Sequence, residues 1–585
     1  MSGFKTLYKF AKRYGKEIGF QIFFATLWVA TTLLIPILMA NIIDYGIVEN
    51  DMDYVVKTGI QMLVVTLFNI ITLLISLYFL TRANAGICRD LRRTLYEKIL
   101  NWSAHTRQKF STSTLITRNV NDVKQVSLLI DMSLRKIYTT SITIIGAVSI
   151  AFSLDSQMAL FMVIIVPVIL VAGNRLTTRA IPQYAKIRTS IDSINRLFGQ
   201  NIIGIRVVKA FDKTDYEQNR FSEAVDDAYN ASIKAESTMM LLGPLVALAA
   251  NLLIVALLWV GAGRVNELTL QIGVLVAIIE YVIMALNNVQ QLSSIITIVP
   301  RSKVSLDRIE EVLSTEEVVV KPTEDQCIRP STDDYFRGIP LYTEGISINQ
   351  VTFKYPGASL PALLDINTKI EKGDITAIIG STGAGKSTLL RLIMRNFDVN
   401  EGSIQLAGQD IKHLTDKDYN HLVTLVPHKT FLFSGTVREN ILAGRGDATD
   451  EEIWDVLDVS QIGEFFRGEN GLDTYISQNA TNLSGGQKQR ISIARGLIRE
   501  TEFYFFDDCF SALDFTTESR IRKAIIKRLQ GRTIVVVAQR VATVQSAGKI
   551  LVMEDGRITH SGTHDELVEF SSIYNEIVSS QIQVD

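Results

Sequence analysis

Nine consecutive residues, Gly380, Ser381, Thr382, Gly383, Ala384, Gly385, Lys386, Ser387 and Thr388, have the most demanding combination of type and spacing in the chain. The pattern G-x-x-x-x-G-K-S lets backbone N–H groups close around phosphate oxygens at the start of a helix. Lys386 would reach the outer phosphates, and the Ser387 hydroxyl could hold Mg²⁺. A second element places Asp507 121 residues after Lys386: Phe503-Tyr-Phe-Phe-Asp507-Asp508, four apolar residues ending in two carboxylates. A buried strand often ends in Asp, so this feature is weak alone. Beside a phosphate loop, the Asp507 carboxylate becomes a second Mg²⁺ ligand.

Both elements require a parallel sheet to hold them. The β-rich run Ile375–Ile379 leads into the phosphate loop and the helical run Leu389–Met394 leaves it, which is the context the motif needs. From Gly345 onward, short β-rich runs (Ile346–Tyr355, Thr533–Ala538, Ile550–Met553) alternate with helical stretches, an α/β pattern. Glu316–Arg337 has Pro, charge and little periodicity, as a linker should.

The first half is different in kind. Ile18–Ile43 and Thr58–Thr81 carry no charged residue, and neither does Ser237–Gly263. Ile137–Leu154 and Ser156–Asn174 are separated only by Asp155, and Leu268–Pro300 is broken only by Glu280. About 20 residues cross a bilayer core as a helix, so six transmembrane helices are expected. Arg82–Lys136 holds eleven Lys/Arg against four acids, whereas the loop after the first span holds Asp44, Glu49, Asp51 and Asp53 before any base. The positive-inside bias places both long loops and both termini in the cytoplasm. The basic, aromatic first 17 residues read as an interfacial elbow helix rather than a signal peptide. The long loops read as helices continuing the spans, with turn-like tips at Ser111–Asp122 and Phe198–Gly204. Those tips serve either helix packing or contact with a cytoplasmic domain.

The expected fold is therefore an α-helical six-span transmembrane domain followed by an α/β P-loop nucleotide-binding domain. Its boundaries are 1–310 for the membrane domain, 311–344 for a linker and 345–585 for the nucleotide-binding domain. With 585 residues, 21% charged and a net charge of −2, the chain has no general affinity for nucleic acid and is not disordered. Cys88, Cys327 and Cys509 are too far apart to suggest a disulfide framework or a zinc site.

Leu483, Ser484, Gly485, Gly486 and Gln487 lie between the phosphate loop and the paired carboxylates. With that order, the chain resembles an ABC transporter ATPase. Six spans, two long loops and one nucleotide-binding domain match a bacterial ABC exporter half-transporter along essentially the whole chain. The resemblance implies ATP and Mg²⁺ as ligands, with two half-transporters sandwiching two ATP molecules. Tyr355 would stack on adenine, Gly380–Thr388 would cradle the phosphates and Asp507 would coordinate Mg²⁺ through water. Ser484 and Gly486 would contact the γ-phosphate of ATP held by the opposing subunit. Ser511, Ala512, Leu513 and Asp514 match the D-loop, and the two tips would be coupling helices.

Departures from the family pattern carry further information. The general-base Glu is replaced by Asp508, the switch His by Gln539 and the Q-loop Gln by His428. Ser477–Ala480 lacks the usual G-E-R-G. Shortening the base by one methylene moves its carboxylate by ~1.5 Å, and misplacements of that order can cost about 100-fold in rate. The pattern implies a degenerate ATP site beside an intact signature, hence a heterodimer whose partner keeps the Glu and the switch His. The expected function is ATP-driven export of amphipathic or drug-like compounds across the cell membrane. Alternatives are export of a specific peptide or lipid, or a non-pumping ATP sensor. Glu280, followed by Asn287, Asn288, Gln290 and Gln291, is either a substrate contact in a cavity or part of interhelical hydrogen bonding. Tyr281 and Phe24 read as packing or belt residues.

Overall fold

The computed structural model describes residues 2–582 except 293–294, 318, 320–334, 337–338 and 341–343. Most of the expected linker, Cys327 and the side chains of Gln290 and Gln291 lie outside the described residues. The chain divides into two compact units. One comprises Met1–Asn101 with Phe110–Thr315, and the other Trp102–Lys109 with Glu316–Asp585.

Six helices of the first unit are long and apolar enough to cross a membrane: Gly3–Ile47, Met52–Leu100, Thr112–Leu154, Ser156–Ile203, Thr214–Asn266 and Ile272–Val289. Their turns have local causes. Asp51 accepts a hydrogen bond from the Tyr54 N–H and opens the second helix. Asp155 breaks the apolar run, caps the fourth helix through the Met158 N–H and pairs with Arg264 at 2.8 Å. The buried Asp44 side chain accepts from the Gly273 N–H at 2.6 Å. A Cβ at Gly273 would stand 2.2 Å from the Ala40 oxygen, so this approach needs glycine. Small residues (Ala147, Ala151, Ala277) and Met158 fill the interior, while Leu252 and Trp259 stay exposed, as lipid-facing positions should.

The long loops do continue the spans as helices, but the tips differ from expectation. Ser111 caps a helix through the Thr114 N–H, and the chain stays helical from Thr112 to Asp122. Its hydroxyl and amide residues are caps and helix-surface groups rather than turn formers. Phe198–Ile203 is likewise helical, and only Gly204 ends the helix. The part of the first long loop that belongs to the nucleotide-binding unit is Trp102–Lys109. There Glu317 accepts from the Ser103 N–H at 2.8 Å and from the Thr106 hydroxyl at 2.6 Å, and the His105 ring lies 5.3 Å from that of Phe397.

The second unit is built on a six-stranded sheet ordered Arg557–Gly562, Lys549–Glu554, Ile375–Gly380, Thr533–Val537, Phe503–Asp507, Val423–Val426. All neighbours are parallel except the first pair. A four-stranded antiparallel sheet holds Leu363–Ile370, Ile346–Phe353, Glu401–Leu406 and Gln409–Asp410. Every residue of Thr533–Val537 is buried, as expected of a parallel strand covered on both faces. Helix Lys386–Ile393 packs into one core layer and Gly485–Leu497 with Phe515–Arg528 into the other. Parallel strands bring the phosphate loop and the carboxylates to the same sheet edge, their C-terminal ends.

Candidate nucleotide site

Gly383 (φ +92°) and Gly385 (φ +99°) place the phosphate loop in left-handed backbone that side chains resist. Gly385 caps helix Lys386–Ile393 without a side-chain cap, so the first helical N–H groups are available to an anion. The buried Lys386 Nζ donates to the oxygens of Gly380 (2.6 Å) and Ser381 (2.8 Å), spanning the loop. Its third N–H can serve a phosphate. Burial pushes the Lys386 ammonium down, while Asp508 and Asp507 pull it up. Tyr355 is tied to the turn below the loop. Its hydroxyl lies 3.2 Å from Thr388 Oγ1 and accepts from Arg391, and its ring meets Phe353 and Phe397 edge-on.

Asp507 ends its strand, and Asp508 follows in left-handed backbone (φ +44°), its N–H held by the Val537 oxygen at 2.9 Å. An Asp at positive φ is uncommon and aims its side chain out of the strand direction. Three of the four departures from the family pattern meet there. Gln539 Nε2 donates to Asp508 Oδ2 at 3.2 Å, and His428 Nδ1 lies 3.5 Å from the same oxygen and 3.2 Å from the Asp508 main-chain oxygen. Burial pushes both carboxyls up, His428 and Lys386 oppose this for each, and Asp508 adds like-charge repulsion at Asp507. Ser387 and Asp507 are hard oxygen donors at one sheet edge, a set that suits Mg²⁺.

The signature opens a different helix. Ser484 caps Gly485–Leu497 in a reciprocal box with Gln487, Leu483 is buried beneath, and Ser484 and Gly485 are exposed. Among the described residues, no hydrogen bond joins Ser484–Gln487 to Gly380–Thr388. The D-loop is tied to the main chain beside the carboxylates instead: the Ser511 hydroxyl donates to the Asp508 main-chain oxygen at 3.0 Å, Leu513 is buried, and Asp514 caps Phe515–Arg528. Motif reading missed two contacts. Thr430 Oγ1 donates to Gln489 at 2.7 Å, and Arg495 donates to the Phe431 oxygen at 2.7 Å, tying the loop after His428 to the signature helix.

Glu280 lies half-buried in Ile272–Leu292, with no hydrogen bond or ion pair among the described residues. Tyr281 is fully buried and donates to the Leu33 oxygen, a packing role. Asn288 donates to the Met284 oxygen one turn back.

A bundle of membrane-length helices joined to a phosphate-loop sheet with a capped signature helix defines a multi-pass membrane protein powered by a nucleotide. The comparisons with known proteins give the family. Residues 18–289 match the ABC transporter transmembrane region, and residues 363–511 match the ABC transporter family. The chain is 34% identical to an uncharacterized ABC transporter ATP-binding protein of Mycobacterium tuberculosis, over 94% of this chain and 93% of that protein. It is 29% identical to YgaD of Bacillus subtilis, an ATP-binding/permease protein named for multidrug export (99% and 100% covered). It is 28% identical to an ATP-dependent lipid A-core flippase of Desulfotalea psychrophila (86% of each covered). A bacterial Atm1-family ABC exporter solved with ATP bound shares the fold, with a TM-score of 0.78 at 22% identity, covering 97% of this chain and 99% of that one. The chain belongs to the ABC transporter family and is an exporter half-transporter, with an ATPase domain that binds ATP.

Proposed function

We propose that this chain is one half of a heterodimeric exporter, contributing a weakly hydrolytic ATP site of its own and the signature of its partner's competent site. The observation that carries this reading is the meeting of Asp508, Gln539 and His428 at one carboxylate oxygen. In hydrolysis, water attacks the γ-phosphorus, the bond to the β–γ bridging oxygen breaks, and ADP and phosphate leave. Asp508 would take the water's proton, with a carboxylate set back by one methylene and engaged by two neighbours. Gln539 cannot become a cation to stabilise the charge at the γ-phosphate. Tyr355 would stack on adenine, and Lys386 would bind the outer phosphates. Ser387 and Asp507 would hold Mg²⁺, which supplies charge neutralisation when bound.

Ser484, exposed, and Gly486, half-buried, have no hydrogen bond to this chain's own phosphate loop among the described residues and would serve the ATP on the partner. The domain division near residues 310–345 follows the change in composition there. Both termini would face the cytoplasm by the distribution of basic residues. The cargo would be amphipathic or drug-like, a class in keeping with the relative named for multidrug export. The reading is tested by co-purifying the chain with its partner half-transporter and changing the partner's catalytic Glu to Gln. ATP should stay bound to this subunit with only residual hydrolysis. Sustained turnover in that background would reject the division of labour, and a purified homodimer with full activity would reject the heterodimer.

A further inference from the structure

The C-terminal helix carries a residue that none of the motifs includes. Gln581 Nε2 donates to the main-chain oxygen of Gln539 at 2.8 Å, and its Oε1 accepts from the main-chain N–H of Val541 at 2.8 Å. One carboxamide thus grips the backbone on both sides of Arg540. Val541 opens the short helix Val541–Val544, whose cap position, Arg540, provides no side-chain cap. The first N–H groups of a helix lack intrahelical partners, and Gln581 satisfies this one from outside.

The segment so gripped reaches two elements of the nucleotide site. Gln539 donates to Asp508 Oδ2 at 3.2 Å. Arg540 donates to the buried Glu518 at 3.3 Å and to the Ser511 oxygen of the D-loop at 3.5 Å. The far end of the C-terminal helix is itself fixed, because the fully buried Tyr574 meets His564 Nδ1 through its hydroxyl at 2.8 Å. The C-terminal helix, Ser572–Ile582, therefore carries the carboxamide to a loop whose main chain is otherwise tied at its two ends, by the Ala538 N–H to the Ile378 oxygen and by Arg522 to the Ala542 oxygen.

We propose that Gln581 is a positioning residue for the nucleotide site, with the C-terminal helix setting where Gln539 and Arg540 stand against Asp508 and the D-loop. The role needs a donor and an acceptor at one reach. Glutamate keeps the length but brings a charge and no donor to the Gln539 oxygen, asparagine is one methylene short, and alanine removes both bonds. The reading does not depend on whether this site hydrolyses ATP, because the measured quantity is retention.

The test uses the full-length chain in lipid nanodiscs with its partner present, photolabelled with radioactive 8-azido-ATP and Mg²⁺. Amide hydrogen exchange is followed across residues 537–544. Gln581→Ala and Gln581→Glu should each lower label retained on this subunit about tenfold, the scale of one to two ordinary hydrogen bonds. Both should speed exchange at Val541 without lowering the thermal midpoint of the complex. Retention unchanged in both variants would overturn the proposal. So would a Glu variant that behaves as the parent does, which would reduce the contact to packing. A Val541 amide that exchanges in the unsubstituted protein as fast as an exposed one would overturn it without any variant.

Discussion

Asp508 holds its carboxylate at the meeting point of side chains drawn from three separate stretches of chain, so single changes there have separable effects. Restoring the family residues, Asp508→Glu with Gln539→His, returns a base of full length and a cationic neighbour for the γ-phosphate. With the partner's catalytic Glu silenced, the double variant should hydrolyse ATP at least several-fold faster than the parent in a phosphate-release assay. It should still fall short of a competent site, because His428 remains at the Asp508 oxygen. Asp507 permits a test of electrostatics. Its carboxyl is raised by burial and by the neighbouring Asp508, so its favourable contribution to stability is full below the ordinary carboxylate range and lost as pH rises through the raised value. Asp507→Asn should therefore raise the thermal midpoint of the nucleotide-free protein at pH 7, with the gain vanishing near pH 3. The same variant should gain less from Mg²⁺ and ATP than the parent does, and a lower midpoint without nucleotide would contradict the electrostatic account. These residues were individually legible, because phosphate binding fixes types and spacing along a short stretch of chain. Their convergence on one oxygen was not, since nothing in the spacing of 428, 508 and 539 encodes a shared point in space.

Helices and strands divide the labour more clearly than residues do. The strand order brings Gly380 and Asp507 to one edge with Thr533–Val537 between them, whereas the signature helix has an exposed start with no hydrogen bond to its own phosphate loop among the described residues. Ser484→Ala or Gly486→Asp should thus depress ATP turnover of the assembled complex more than Gln539→Ala does, since the first two would act on the partner's site. Steady-state ATPase rates of the three variants, measured at saturating ATP, decide this, and equal losses would reject the trans assignment. The spans were legible from uninterrupted apolar runs, and the sheet from β-rich runs bounded by turn residues. The tips were not. Ser, Thr, Asn and Asp mark turns and helix caps alike, and at Ser111–Asp122 they cap and coat a helix. The segment that joins the nucleotide-binding unit, Trp102–Lys109, has an ordinary composition and is recognisable only through Glu317 and Phe397, which are remote in sequence.

As a whole, the molecule couples a bundle with lipid-facing apolar surface to a sheet that binds nucleotide, and Glu280 is the ionisable group inside the sixth span. Glu280 is half-buried with no hydrogen bond or ion pair among the described residues, and a role in contacting substrate predicts a dependence on its charge. Glu280→Gln keeps the shape and removes the charge. Uptake of cationic dyes into inside-out vesicles should fall several-fold, with neutral dyes little affected. An equal loss for both, or loss of the protein from the membrane, would assign Glu280 to packing.

The origin of the nucleotide-binding unit from two stretches of chain also has a consequence in time. His105 leaves the ribosome about 290 residues before Phe397, the ring it rests against. At roughly 5–20 residues per second, that interval is on the order of 15–60 s. Throughout it, the first two spans are already made while the Trp102–Lys109 segment has nothing to fold onto. A nascent chain stalled before residue 397 should therefore leave this segment open to protease, and a chain released after the unit is complete should protect it. Biogenesis of this half-transporter is thus ordered by its own sequence, the nucleotide-binding unit being completed only when its late stretch meets its own early-made segment.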